Sequence, residues 1–238
     1  MKVALGILLV LIAAVGVVGF IMFQEITKAK SDDPSVYNED IAELVAATKD
    51  RGPLNDAVLF VGSSSIRLWS TLAEDMAPLV TIRHGFGGAK LADVEHFAEP
   101  LVADFAPRAI VVFAGTNDIH PGDAKRPEDL LAIYRSFVAR VRAELADVPI
   151  YYIGITPSPL RFLVWDVARE TNSLIEAFTE ESETLHYIET GPRLLGPDGT
   201  PNPDNYRFDG LHLSDRGYAI WTEIIRSRLM QDLRDPAS

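Results

Sequence analysis

No cysteine occurs anywhere in the 238 residues. That absence excludes a disulfide framework, cysteine-ligated zinc, a thiol nucleophile and a lipid-modified N-terminal cysteine. Covalent acyl-transfer chemistry would have to use a Ser or Thr hydroxyl activated by a base, with an acid to hold that base. Basic residues are scarce too: 22 Lys and Arg stand against 34 Asp and Glu, a formal net charge of −12, and no run of Lys or Arg forms a stripe. Attraction to a phosphate backbone works against such a chain, so nucleic acid is not an expected partner. Internal repeats and low-complexity tracts are missing as well, which leaves a single globular domain as the default.

What the chain does contain is 47% hydrophobic and 9% aromatic residues, enough for one well-cored domain of about 200 residues plus an extra segment. The extra segment is at the N-terminus. Val3–Phe23 holds no charged or strongly polar residue, and as a helix it would extend about 31 Å, the thickness of a bilayer hydrocarbon core. The run continues past Ala13-Ala14 and ends in Phe20, Met22 and Phe23, so it reads as an uncleaved transmembrane anchor and not as a cleaved signal peptide. Lys2 lies on one side of it, and Lys28 and Lys30, offset by Glu25, Asp32 and Asp33, on the other, so the positive-inside count is close to a tie. A lone N-terminal anchor ahead of a soluble domain acts as an export signal, which puts the expected domain outside the cytoplasm. The predicted organisation is an anchor over 1–23, a polar tether over 24–37 and a domain over 38–238.

Within the domain, five short apolar, β-branched-rich runs follow one another: Ala57–Val61, Leu79–Ile82, Ala109–Phe113, Ile150–Ile153 and Leu185–Ile188. Each suits a strand buried on both faces. Helical spacing separates them, as in Leu91, Val94, Ala98, Leu101 and Phe105, in Leu131, Tyr134, Val138, Val141 and Leu145, and in the final Trp221, Ile224, Ile225 and Leu229. Alternating strands and helices predict a three-layer, doubly wound α/β fold, flavodoxin-like, with a five-stranded parallel sheet. In such sheets ligands sit beyond the carboxyl ends of the strands. The loops at those ends are Gly62-Ser63-Ser64-Ser65, His84-Gly85-Phe86-Gly87-Gly88, Ala114–Asp118 and Gly154–Pro157.

Five histidines are available as a base. His96 falls on the polar face of a helix and His186 inside a strand, so both read as structural; His84 and His120 sit in the rim loops. His212 is distinctive. It follows Asp209 by three residues just ahead of the last helix, which Ser214 or Asp215 could cap. An Asp at that spacing can turn back to accept the imidazole Nδ1–H, fixing the tautomer and stabilising the imidazolium.

Four blocks in order resemble the SGNH or GDSL hydrolases, spanning Val58 to the final helix: GSSS at 62–65, GFGG at 85–88, AGTND at 114–118 and DGLH at 209–212. The resemblance is nearest to platelet-activating-factor acetylhydrolase-like and carbohydrate-esterase members, with GSSSIRLW, PSPLRF and DGLHLS similar to bacterial ones. Spacing and propensity do not choose among the three serines. The resemblance implies that Ser64 is the nucleophile, with Ser63 and Ser65 as turn and cap residues. It further implies that His212 and Asp209 complete a triad, and that the backbone N–H groups of Ser64 and Gly88 with the Asn117 amide form an oxyanion hole. No metal or organic cofactor is implied. Ser63 and Ala89 stand where the family usually has Asp, and Asp118 is expected to hold loops together.

The implied activity is hydrolysis of a small-molecule, glycan or lipid ester through an acyl-enzyme. Short-chain acyl or acetyl esters are the expected substrates. Transfer of the acyl group to a sugar hydroxyl is one alternative, and a flavodoxin-like phosphate or nucleotide binder another. Phe86, Phe162, Leu163 and Trp165 are candidates for an acyl pocket.

Overall fold

Strands covered on both faces need apolar side chains at consecutive positions, and the apolar runs do become the sheet in the computed structural model, which describes residues 27–52 and 54–233. The strands are β1 (Val58–Gly62), β2 (Thr81–Gly85), β3 (Ala109–Phe113), β4 (Ile150–Ile153) and β5 (Leu185–Ile188). All pair in parallel, in the order β2-β1-β3-β4-β5. The last three lie where the sequence puts them, and β1 is displaced by one residue. β2 starts two residues later than expected and runs through Arg83 and His84. It is an edge strand whose exposed Arg83 interrupts the apolar pattern, so hydrophobicity alone marks it poorly.

Alternate residues point to opposite faces. Leu59, Val61, Ile110, Val112 and Tyr152 enter one core with helices α1 (Asn38–Lys49), α4 (Leu91–His96), α5 (Ala98–Val102), α6 (Pro127–Glu144) and α7 (Trp165–Thr179). Phe60, Val111, Phe113, Tyr151 and Ile153 enter the other with α2 (Ser64–Arg67), α3 (Leu72–Asp75) and α8 (Asp215–Asp232). Helices thus cover both sheet faces, as the three-layer reading requires. The expected single helix over 91–105 is instead split at Phe97. Pro100, which lacks an N–H and would clash with the carbonyl four residues earlier, is accommodated only in the first turn of a restarted helix.

The strand register decides where the loops emerge. Gly62 pairs with Gly85 on one side and with Phe113 on the other, so the ends of β2, β1 and β3 are level. Strand order reverses at β1, which opens a crevice at that edge.

Residues 1–26, including the expected anchor, lie outside the described residues. Among the described residues no helix is long and apolar enough to cross a membrane. The tether expectation changes over residues 27–37, which pack on the domain. Asp33 accepts a hydrogen bond from the Ser35 N–H at 2.9 Å to start a 3-10 turn over Pro34–Tyr37. Tyr37 is buried edge-on against Phe86. Lys90 reaches back to the Ser31 carbonyl at 2.9 Å and to Asp32 at 2.7 Å, and Lys28 pairs with Asp40. The local composition is polar, but its partners come from elsewhere in the chain.

Asp118 ties the loop after β3 to α4. Its buried Oδ2 accepts the Leu91 N–H at 2.8 Å, while Lys125 Nζ stands 3.8 Å from Oδ1. Among the described residues Oδ1 has no hydrogen-bond partner, and burial, outweighing the Leu91 bond, pushes the carboxyl up to about 6 from 3.8. In the unfolded chain the group ionises at lower pH than in the folded one, so the folded protein loses stability as pH rises from about 4 to 6 and then levels off. The shift corresponds to something on the order of 2–3 kcal/mol. Thermal melts of Asp118→Asn against the parent should therefore diverge over that interval, the variant gaining relative Tm as pH rises; parallel Tm curves would contradict the assignment.

Candidate active site

The turn that carries the candidate serine begins with a glycine whose backbone leaves no room for a side chain. Gly62 has φ +149°, and a Cβ there would lie 2.0 Å from the Phe113 carbonyl oxygen. The next residue, Ser63, donates its N–H to that same oxygen at 2.9 Å. Helix α2 then starts at Ser64, directly after this turn. The first N–H groups of a helix have no partner within it, so the Ser64 amide is not spent on the bonds of α2. Because α2 is a single turn, these individual amides matter more than any macrodipole. Ser63 occupies the N-cap position, but its hydroxyl makes no capping bond. Ser65 lies inside α2, where its carbonyl accepts the Tyr218 hydroxyl at 2.8 Å.

The partner arrives from the other end of the chain. Ser214 caps α8 by accepting the Gly217 N–H at 3.3 Å, and the Arg207 N–H donates to the His212 carbonyl at 2.8 Å, folding the intervening turn back on itself. Asp209 Oδ1 accepts the N–H groups of Leu211 at 2.9 Å and His212 at 3.0 Å. Its Oδ2 lies 2.7 Å from His212 Nδ1. His212 Nε2 in turn lies 2.8 Å from Ser64 Oγ, across 148 residues of sequence. Partial burial raises the Asp209 carboxyl, but the His212 side chain and the two backbone N–H donors together outweigh it and hold the group below its ordinary range. An ionised Asp209 makes Nδ1 the protonated nitrogen, which leaves Nε2 as acceptor for the serine hydroxyl.

A cavity of about 320 Å³ opens over this chain, lined by Ser64, His212, Gly88 and Asn117. Gly88 has φ +72°, and a Cβ there would meet Ala29 Cβ at 2.6 Å. One N–H of the Asn117 amide donates to the Ala89 carbonyl at 3.0 Å, which orients the other for use in the cavity. Ala89 itself is fully buried in the apolar core.

The five residues singled out from the sequence thus meet in one place. His120 lines the cavity as well. His84 does not: it is a buried residue of β2, bonded to Leu101 O at 2.8 Å and Thr48 Oγ1 at 2.9 Å, and burial lowers its pKa. His186 sits in β5, stacked on Tyr151. The apolar candidates also disperse. Phe86 belongs to the core, Trp165 packs beside it, and Leu163 is 91% exposed.

Lys30, Arg67 and Arg161 line the cavity too; none was a candidate site residue, although Arg67 and Arg161 fall within the family-like stretches GSSSIRLW and PSPLRF. Arg161 is brought in because the Leu160 N–H donates to the Gly210 carbonyl at 2.9 Å, joining two loops 50 residues apart. A larger cavity of about 540 Å³ lies beside α7, but its lining contains no histidine to activate a serine. Among the described residues no group of His, Asp and Glu could hold a metal ion.

Residues 60–220 match the GDSL-like lipase/acylhydrolase family. Similar solved structures include a GDSL-like lipase from Bacteroides thetaiotaomicron, 20% identical with a TM-score of 0.62, covering 84% of this chain and 98% of that one. A carbohydrate esterase family 3 protein from Talaromyces cellulolyticus is 16% identical with a TM-score of 0.59, covering 74% and 96%. A lipase/acylhydrolase from Enterococcus faecalis is 16% identical with a TM-score of 0.58, covering 76% and 99%. A comparison with curated protein sequences finds no match. With well over half of its length matched, the chain belongs to the GDSL-like lipase/acylhydrolase family and is an ester hydrolase.

Proposed function

We propose that the protein is a serine ester hydrolase, anchored in a membrane by residues 3–23 with its domain outside the cytoplasm, and acting on short-chain acyl or acetyl esters. The observation that carries the mechanism is the hydrogen-bonded chain Ser64–His212–Asp209, with links of 2.8 and 2.7 Å. In this reading His212 Nε2 takes the Ser64 proton as Oγ bonds to the ester carbonyl carbon. The oxyanion is received by the N–H groups of Ser64 and Gly88 and by the Asn117 amide. Collapse breaks the bond to the alcohol, which leaves with the proton from His212. Water, deprotonated by the same nitrogen, then attacks the acyl-enzyme; the acid departs and Ser64 regains its proton. Asp209 stays ionised throughout and steadies the imidazolium.

Hydrolysis of p-nitrophenyl acetate tests the nucleophile. Ser64→Ala should abolish turnover, whereas Ser63→Ala and Ser65→Ala should retain it; an active Ser64→Ala enzyme rules the mechanism out. Asn117→Ala should lower kcat by about 10²–10³-fold with KM little changed, the signature of a donor used in the transition state. A mainly KM-based effect would remove Asn117 from the oxyanion hole. An acyl donor offered with and without a glycan acceptor separates hydrolysis from O-acyl transfer: free acid should dominate in both, and acylated glycan as the main product would make the protein a transferase.

A further inference from the structure

The segment expected to lead away from a membrane anchor forms part of the active-site wall. Ala29 and Lys30 line the cavity with Ser64 and His212, and Ala29 stands directly against Gly88. Lys90 holds Ser31 and Asp32 in place beside the same glycine loop. Five residues lie between Phe23, the end of the apolar run, and Ala29, which makes six Cα-to-Cα steps. Fully extended, they span at most about 22 Å. A domain of about 200 residues has a radius of gyration of about 16 Å and is therefore roughly 40 Å across. The tether is thus too short to leave the site on the face away from the bilayer.

The two loops that supply Arg161, Leu211 and His212 to the cavity also carry exposed apolar side chains beside it. Leu160 is 49%, Leu163 91% and Phe208 104% exposed. Leu160 and Leu163 belong to the 3-10 turn Pro159–Val164, in which residues three apart eclipse on one face. They flank the cavity residue Arg161, and Phe208 adjoins Asp209 on the loop that Leu160 bonds. Lys30, Arg67 and Arg161 gather at the same mouth in a chain of net charge −12. Apolar tips among cations suit the interface of a bilayer containing anionic lipid.

We propose that this rim is a membrane-docking face: Leu160, Leu163 and Phe208 enter the headgroup boundary, and the ester is taken from an amphiphile held in the bilayer surface. The inference rests on the anchored-hydrolase reading and names its substrate class.

The test uses the full chain reconstituted in vesicles of phosphatidylcholine and phosphatidylglycerol. Two esters share the acetyl group and the umbelliferyl leaving group: water-soluble 4-methylumbelliferyl acetate, and an analogue carrying an octadecyl chain dissolved in the vesicles. The double variant Leu163→Asp/Phe208→Asp should hydrolyse the soluble ester like the parent but the vesicle-borne one at least about tenfold more slowly, because two apolar insertions are lost. Separately, Phe208→Trp should gain emission that brominated lipid quenches beyond the parent's level. Unchanged vesicle hydrolysis, an equal loss on both esters, or no added quenching overturns the docking face. Ser64→Ala serves as the control for chemistry: if it still cleaves both esters, the hydrolase mechanism fails, while the quenching result continues to judge the docking face alone.

Discussion

Parallel pairing forces every strand to finish on the same edge, and here three strands finish level, with Gly85, Gly62 and Phe113 side by side. Everything at the site depends on that register. It lets one carbonyl, that of Phe113, receive the Ser63 N–H, while the missing Cβ of Gly62 leaves room for it. The turn that results points the first amide and the side chain of α2 out of the sheet edge. Because strand order reverses at β1, the helices on the two flanks diverge there, and a crevice is left for a substrate. A one-residue slip of β1 against β3 would turn each strand residue to the wrong face and aim the serine into the core.

Two carboxylates near this edge show how environment assigns opposite tasks to one functional group. Asp118 is fully enclosed, has one oxygen bonded to a backbone N–H and one without a partner among the described residues, and is pushed up to about 6. Desolvation dominates, and its task is to join loops. Asp209 is partly exposed and collects two backbone N–H groups and an imidazole, so its pKa falls. A carboxylate held ionised is what an imidazole needs if it is to carry a proton between serine, leaving group and water. Ala89 takes no part in this carboxylate chemistry: its side chain is buried among apolar residues, and its backbone carbonyl accepts one N–H of the Asn117 amide.

The N-terminal segment adds a constraint of a different kind. A polar stretch of this composition, taken alone, cannot bury enough apolar surface to order itself. It is held by groups it does not contain: the Lys90 ammonium, the Asp40 carboxylate and the pocket that receives Tyr37 beside Phe86. The outcome is a cavity wall built from sequence that precedes the domain core.

By itself, the sequence determined the sheet, the three layers and the rim, because strands buried on both faces leave continuous apolar runs and parallel topology leaves no choice of edge. It also determined the Asp209–His212 pair, since three residues within one turn suffice to bring a carboxylate to an imidazole. It did not place β2, where exposed Arg83 interrupts the pattern, nor unmask His84, whose polar neighbours Thr48 and the Leu101 carbonyl come from remote helices. The choice of Ser64 among three serines rested on likeness to a family. Only the tertiary structure set that hydroxyl 2.8 Å from an imidazole 148 residues away, brought Arg161 and Lys30 to the cavity, and left Leu163 and Phe208 in the open. The physical reason is common to all of these: each depends on contacts between segments distant in sequence, and a local pattern records what a residue can bury or bond, not what the rest of the chain brings to it.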